Sequence, residues 1–112
     1  MKDSLTIAVP LYNEEDGIKN LYKKLIPIFD KLTSERVTNI ILVNDGSTDD
    51  TEKLLFDYFS KIDNLKIIKH DTNLNLGGFL NTIINNCETD LVVFIDSDCT
   101  FDPDYIFEML EL

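Results

Sequence analysis

Hydrophobic and polar positions divide the chain into two alternating kinds of segment. Four short apolar runs recur at a regular interval, and they read LTIAVP (5–10), VTNIILV (37–43), NLKIIKH (64–70) and DLVVFID (90–96). The first, second and fourth runs are nearly continuous and rich in Val and Ile, which is typical of strands buried on both faces. The third run has Lys66 and Lys69 on either side of its two isoleucines, so we expect it nearer an edge of the sheet.

The segments between these runs have helical spacing. Residues 14–33 place apolar side chains at steps of three and four, and Pro27 inside this stripe should kink the helix or divide it. Further helices are predicted over residues 49–62, 78–87 and 103–112. Strand–helix alternation predicts an α/β fold, a Rossmann-like three-layer sandwich in which a mainly parallel four-stranded sheet is joined by right-handed crossovers. We expect residues 1–112 to form one domain.

Three polar motifs follow the first, second and fourth predicted strands. They are PLYNEED, NDGSTDD and DSDCT. Because ligands of open parallel sheets bind outside the carboxyl ends of the strands, these motifs should converge on one edge of the sheet.

Each motif has a purely structural interpretation beside a functional one. In PLYNEED, Asn13 could cap the next helix, with the acids that follow it at the positive end of that helix. Tyr12 is not explained by capping, and its ring could pack along a flat base. In NDGSTDD, the triplet Asn44-Asp45-Gly46 predicts a turn, with Ser47, Thr48 or Asp49 as a helix cap. The functional alternative is that Asp45 accepts a hydrogen bond from a base N–H or a sugar hydroxyl.

The acidic stretch FIDSDCTFDPD (94–104) combines two assignments. A divalent cation prefers carboxylate oxygens together with substrate phosphates and water, so Asp96 and Asp98 at a strand end would suit one. Asp102 and Asp104 are more simply explained as the entrance to the last helix, with Pro103 between them.

Two features between the third strand and its helix are ambiguous. Gly77-Gly78 allows close backbone approach or an unusual turn. His70 ends the third strand without a candidate partner for a Ser/His/Asp constellation, and we predict that it has no catalytic role.

Composition limits the partners. The formal net charge of −11 argues against nucleic acid or an anionic membrane surface as a direct partner. Cys87 and Cys99 form no CxxC pair, which fits the cytoplasm. No apolar run approaches the ~20 residues that a membrane span needs.

Taken together, VPLYNEE, ILVNDGSTDDT and VVFIDSDCTFDP resemble the family 2 glycosyltransferases of the GT-A fold, with the dolichol-phosphate sugar synthases among the closer likenesses. The resemblance covers residues 5 to about 105. It implies a partial GT-A fold, a UDP- or GDP-linked sugar as donor, Mg²⁺ or Mn²⁺ as cofactor and inverting transfer to an unknown acceptor. A longer parent protein could work at the cytoplasmic face of a membrane.

The resemblance also assigns roles to individual positions. Residues of the first two nucleotide-binding turns, with the first aspartate of the DxD pair, would contact the nucleotide sugar: Pro10, Tyr12, Glu14, Val43, Asp45 and Asp96. By the same likeness Asp98, with Asp96, would hold the metal, and Thr100 would lie near it.

The chain departs from the family pattern in two ways. After the third strand, Asn73, Gly77 and Asn81 fit, but the basic residue that many members use to meet phosphate is replaced by Leu80. The resemblance also covers only the nucleotide-binding half of such a domain, so the general base is expected beyond Leu112 and transfer by this fragment alone is not expected.

Two other classes of function compete with this interpretation. The run VVFIDSDCT also fits the DxDx[TV] signature of haloacid-dehalogenase-type phosphatases, in which the first aspartate is a nucleophile. Release of phosphate from a generic phosphomonoester would distinguish that enzyme. A non-catalytic acidic interaction module is the third possibility, and self-association through uncovered sheet edges is expected of a half-domain.

Overall fold

The computed structural model describes residues 2–98 and 105–110. Its strands are β1 (Leu5–Leu11), β2 (Thr38–Asp45), β3 (Leu65–His70) and β4 (Leu91–Phe94), and its helices are α1 (Ile18–Thr33), α2 (Thr51–Phe59), α3 (Asn75–Asn86) and α4 (Tyr105–Leu110). The strands form one sheet in the order β3-β2-β1-β4, and every pairing is parallel. The predicted parallel α/β sheet and the edge position of the third strand are confirmed.

The sheet buries side chains on both faces, as the continuous apolar runs predict. On one face β1 and β2 pack against α1, α2 and α4, in a cluster that includes the fully buried Leu42, Leu55 and Phe59. On the other face a smaller cluster joins β1 and β2 to Phe79 and Ile83 of α3. Because helices pack against both faces, the three-layer arrangement is confirmed.

The fourth strand is less buried than its apolar sequence suggests. Leu91 is 37% exposed and Phe94 is 49% exposed. The reason is its place at the edge of the sheet, since within residues 2–98 and 105–110 β4 pairs only with β1. The prediction of burial on both faces is therefore wrong for β4 in this chain, and self-association through its edge stays a prediction.

The ends of α1 also differ from the prediction. Helix α1 begins at Ile18 with Gly17 as its N-cap residue, so Asn13 is not the cap and no acid lies in the first turn. Pro27 lies inside α1 without dividing it. A proline removes one backbone hydrogen bond from a helix, and the six buried apolar residues of α1 offset that loss.

Strand β2 is longer than predicted, and this places a key side chain. The strand continues through Asn44 and Asp45, so the turn begins at Gly46, which has a φ of 72°. Asp45 is paired in register with His70, the last residue of β3. Across a parallel pair such neighbours project to the same face of the sheet, so the two side chains can meet.

In the part of the chain that is described, no helix is long and apolar enough to cross a membrane.

Candidate functional site at the carboxyl ends of the strands

The loops that follow β1 and β2 are joined by hydrogen bonds between polar groups. Asn13, at a φ of 50°, donates its backbone N–H to the Ser47 hydroxyl (3.0 Å) and accepts from the Thr48 N–H (2.8 Å) at its side-chain oxygen. The backbone N–H of Glu14 donates to the Thr51 hydroxyl at 2.9 Å. The first two polar motifs therefore meet at one edge, and Asn13 connects the loops instead of capping a helix.

The acids of these loops have structural partners as well. The Glu15 carboxylate accepts from the backbone N–H of Asp50 at 3.1 Å, and Asp49 accepts from the N–H of Thr51 at 2.9 Å. These N–H groups belong to the start of α2, where the helix leaves its first donors unsatisfied. The N-cap residue of α2 is Asp50, so the prediction of Ser47, Thr48 or Asp49 as the cap is wrong, and Asp49 satisfies the Thr51 N–H from the position before the cap.

The Asp45 carboxylate has three hydrogen-bond partners from two other segments of the chain. One of its oxygens, Oδ1, accepts from the backbone N–H of Leu74 (2.8 Å) and bonds the Nδ1 atom of His70 (2.7 Å). The other, Oδ2, accepts from the backbone N–H of Asn75 at 2.9 Å. The side chains of Asp45 and His70 are each only 8% exposed. Asp45 therefore ties β2 to β3 and to the start of α3.

Burial and hydrogen bonding act on the pKa of Asp45 in opposite directions. Burial raises the pKa, but the hydrogen bond from His70, with those from the N–H groups of Leu74 and Asn75, outweighs it, so the pKa lies below its ordinary value of 3.8. A carboxylate with a lowered pKa in the folded state stabilises the fold above its unfolded pKa, and this stabilisation is lost as the pH falls through the folded pKa.

We therefore expect an acid-dependent loss of stability that belongs to Asp45. Below the ordinary pKa of 3.8, the free energy of unfolding of the native chain should fall more steeply than that of Asp45→Asn, which lacks the titrating group. Urea denaturation at a series of pH values from about 5 down to about 2.5 measures both curves across this aspartate's range. Parallel curves would contradict the assignment.

A cavity of about 330 Å³ opens between these loops and the start of α3. Four of the residues assigned to nucleotide binding line it, namely Pro10, Tyr12, Glu14 and Asp45. Tyr12 is 47% exposed, so its ring is available to a ligand. The structure thus brings together side chains that the sequence placed in two separate motifs.

The remaining assigned residues lie elsewhere. The side chain of Val43 is fully buried in the smaller core cluster, against α3. Asp96 and Asp98 are exposed just beyond β4, whose pairing with β1 extends through a hydrogen bond from the Ile95 N–H to the Ala8 carbonyl at 3.0 Å. Thr100 lies outside the described residues, as do Cys99, Asp102, Pro103 and Asp104 with their predicted roles.

The stretch from the end of β3 into the first two turns of α3 contributes more to the cavity than the sequence indicates. Its lining residues are Asn73, Asn75, Leu76 and Phe79. Asn75 has a φ of 60°, in the left-handed region that asparagine tolerates better than most residues. Helix α3 begins there, three residues before its predicted start at residue 78. The repeated asparagines of TNLNLGG are the signal for this turn.

His70 also differs from its prediction. It has two side-chain partners, Asp45 at Nδ1 and the hydroxyl of Thr82 at Nε2, the latter at 2.6 Å. The prediction that His70 lacks a partner is wrong, because that partner depends on the register between β2 and β3, which the sequence does not display.

Two glycines of the region, Gly46 and Gly78, have no room for a side chain. A Cβ atom on Gly46 would lie 2.5 Å from the backbone nitrogen of Asn73, and one on Gly78 would clash with the side chain of Leu74. Gly77 has open space around it. The close approach of the Asn73 backbone therefore requires glycine at position 46, whereas position 77 has room for a side chain.

These surroundings predict opposite outcomes for two glycine-to-alanine changes. Gly46→Ala should destabilise the protein by about 2 kcal/mol or more. The change forces a positive φ on alanine, and its Cβ atom would push the turn after β2 away from the backbone of Thr72 and Asn73. Gly77→Ala lies in α3 and should be neutral or slightly stabilising. Thermal unfolding followed by circular dichroism compares the two, and equal effects would contradict the close approach at Gly46.

The donor set after β4 fits a divalent cation that is shared with a phosphorylated ligand. Among residues 2–98 and 105–110, no three His, Cys, Asp or Glu side chains form a cluster that could hold a metal alone. Mg²⁺ commonly binds through one or two carboxylates and completes its octahedron with water and substrate phosphate, which suits Asp96 and Asp98. None of the segments 10–17, 44–50, 71–79 and 95–98 contains Lys or Arg, so these segments offer no basic side chain to a diphosphate.

The comparison with protein families decides the class of protein. The model described as "Glycosyl transferase family 2" matches residues 6–112.

The chain belongs to glycosyltransferase family 2.

This match also accounts for the motifs after β1 and β2, which the phosphatase alternative leaves unexplained.

Individual relatives agree with this family. An uncharacterized glycosyltransferase of Synechocystis (sll0501) is 34% identical over 112 residues, which cover 99% of this chain and 34% of the relative. The chain spans about a third or less of the length of the first curated relatives that it matches.

Solved structures of glycosyltransferases share the fold. The mannosyltransferase PcManGT of Pyrobaculum calidifontis, in complex with GDP-Man and Mn²⁺, superposes with a TM-score of 0.71 at 21% identity, over 88% of this chain and 28% of that one. TarS (residues 1–349) of S. aureus in complex with UDP-GlcNAc gives a TM-score of 0.64 at 32% identity, over 88% of this chain and 27% of that one. The fold is thus that of the GT-A glycosyltransferases, as the resemblance of the motifs implied.

Proposed function

We propose that this chain is the part of a family 2 glycosyltransferase that binds the donor, a UDP- or GDP-linked sugar, with the help of a divalent cation. The observation that carries the proposal is the cavity at the carboxyl ends of the strands, where Pro10, Tyr12, Glu14 and Asp45 come together. Solved structures with the same fold contain GDP-Man with Mn²⁺ or UDP-GlcNAc, which supports a nucleotide sugar as the ligand.

The residues of the cavity would recognise the base and ribose. The half-exposed ring of Tyr12 offers an apolar face on which a flat base can pack. Asp45 offers its Oδ2 atom to a donor N–H on the base, and the backbone N–H of Asn75 holds this oxygen in place. Val43 is buried, so in this proposal it shapes the floor through its packing and makes no side-chain contact with the ligand.

The two aspartates after β4 would hold the diphosphate end of the donor. Asp96 would face the ribose or the metal, and Asp98 would bind Mg²⁺ or Mn²⁺. When bound, such a cation offsets the charge that develops on the departing nucleotide diphosphate. We propose inverting transfer, for which a base must deprotonate the acceptor, and we assign that base to no residue of this chain.

The proposal also includes a location in the cell. We place the site in the cytoplasm, where the unpaired thiol of Cys87 would stay reduced.

Calorimetric titration of the whole 112-residue chain with UDP and with GDP tests the proposal. We expect at least one nucleotide to bind in the presence of Mn²⁺, and to bind about ten-fold or more weakly after the metal is removed with a chelator. Failure of both nucleotides to bind with Mn²⁺ present would overturn it.

A further inference from the structure

A buried hydrogen-bonded chain lies directly behind the proposed nucleotide site. The imidazole of His70 bonds Oδ1 of Asp45 through Nδ1 at 2.7 Å and the hydroxyl of Thr82 through Nε2 at 2.6 Å. The three residues belong to β2, β3 and α3, so the imidazole connects three separate elements. Only Asp45 of the three lines the cavity, which places His70 and Thr82 behind the site.

The chemistry of the partners fixes the direction of these hydrogen bonds. An ionised carboxylate only accepts, so Nδ1 of His70 must carry the proton that it shares with Asp45. In the neutral imidazole Nε2 then accepts from the Thr82 hydroxyl, and in the imidazolium the same hydroxyl rotates and accepts from Nε2. Donation to Asp45 is therefore maintained in either charge state of the ring.

This donation determines how much of the carboxylate is left for a ligand. A carboxylate offers about four lone-pair positions, two on each oxygen. On Asp45, Oδ1 bonds His70 and the Leu74 N–H, whereas Oδ2 accepts only from the Asn75 N–H. One acceptor position on Oδ2 remains for a ligand.

We propose that His70, supported by Thr82, is a positioning residue that orients Asp45 so that Oδ2 presents its remaining acceptor position to a donor N–H of the nucleotide base. The inference rests on the proposed function and adds to it a side chain that does not line the cavity. Loss of the Nδ1 donor would let the carboxylate rotate and would release Leu74 and Asn75, whose N–H groups it holds.

Two conservative replacements of His70 separate this role from simple space filling. In Asn the side-chain amide can reach the position of Nδ1 and restore a donor to Asp45, whereas in Gln it reaches the position of Nε2 and bonds Thr82. We expect His70→Gln to weaken nucleotide binding roughly ten-fold, as for loss of one hydrogen bond to a charged group, and His70→Asn to weaken it only about three-fold. Thr82→Val, which removes the support and keeps the shape, should cost about three-fold.

The experiment is calorimetry of the 112-residue chain and its variants with UDP and GDP in the presence of Mn²⁺, after circular dichroism confirms that each variant is folded. If His70→Gln binds as tightly as the native chain, or if the Asn and Gln variants lose the same affinity, the positioning role is overturned.

A second measurement needs no nucleotide and so distinguishes this inference from the proposed function. Amide hydrogen exchange at Leu74 and Asn75, followed by NMR, should accelerate about ten-fold in His70→Gln and much less in His70→Asn, whereas amides of β1 should be unaffected. If the native chain binds neither UDP nor GDP, the proposed function fails, and this exchange pattern still decides whether His70 orients Asp45. Unchanged exchange in His70→Gln would overturn the inference.

Discussion

Replacing Asp45 with alanine should both destabilise the protein and abolish detectable nucleotide binding. The change leaves three donors without their acceptor, namely the N–H groups of Leu74 and Asn75 and Nδ1 of His70. An unsatisfied buried polar group costs about 1–3 kcal/mol, and part of this is recovered by water entering from the cavity, so we expect a net loss of about 3 kcal/mol. Urea denaturation measures the free energy of unfolding, and calorimetry with UDP and GDP measures binding.

The matched control for this change is Asp57→Ala. Asp57 is an exposed residue in the last turn of α2, so its replacement should change stability by no more than about 0.5 kcal/mol and leave binding unaffected. Equal loss of stability in both variants, or normal nucleotide binding by Asp45→Ala, would show that Asp45 does not organise the site.

The second large effect is expected at Asp98. Asp98→Ala should lower the affinity measured with Mn²⁺ to the level measured without metal, about ten-fold or more, because Asp96 alone would hold the cation too weakly to offset the charge of the diphosphate. The segments of the proposed site contain no Lys or Arg that could substitute for the cation. Calorimetry with and without Mn²⁺ provides the comparison.

Asp63→Ala is the control for the loss of one negative charge, because Asp63 lies at the amino end of β3, opposite the carboxyl ends of the strands. Asp63 is exposed in the connection between α2 and β3, where β3 begins, and Asp63→Ala removes the same charge far from the proposed site. It should preserve the effect of Mn²⁺ on binding. If Asp98→Ala retains full Mn²⁺-supported binding, the metal role of Asp98 is wrong.

Much of the fold could be predicted because apolar runs report burial directly. The Val- and Ile-rich runs of β1 and β2 mark the centre of the sheet, and Lys66 and Lys69 mark β3 as an edge strand. The same reasoning fails for β4, whose sequence is as apolar as that of β2 although it lies at the other edge. An apolar strand sequence shows that both faces of the strand can be buried. Whether they are buried depends on which helices and strands lie beside it.

The sequence predicts which residues come together where the position of a residue depends only on its own motif and on the place of that motif in a parallel sheet. Tyr12, Glu14 and Asp45 come to one cavity because the carboxyl ends of β1 and β2 lie side by side. The roles of Asn13 and His70 could not be read in this way. Asn13 joins two loops and His70 meets Asp45 across a strand pair, and both contacts require the tertiary arrangement.

The central claim is that a nucleotide binds at the carboxyl ends of the strands, and an NMR titration of the ¹⁵N-labelled chain with UDP and with GDP in the presence of Mg²⁺ tests it most directly. We predict that the amide signals of Tyr12, Asp45 and Asn75 shift with increasing nucleotide. Signals around the separate cavity at the opposite edge, which is lined in part by Lys31 and Arg36, should remain in place. Shifts confined to that opposite cavity, or no shifts with either nucleotide, would contradict the account.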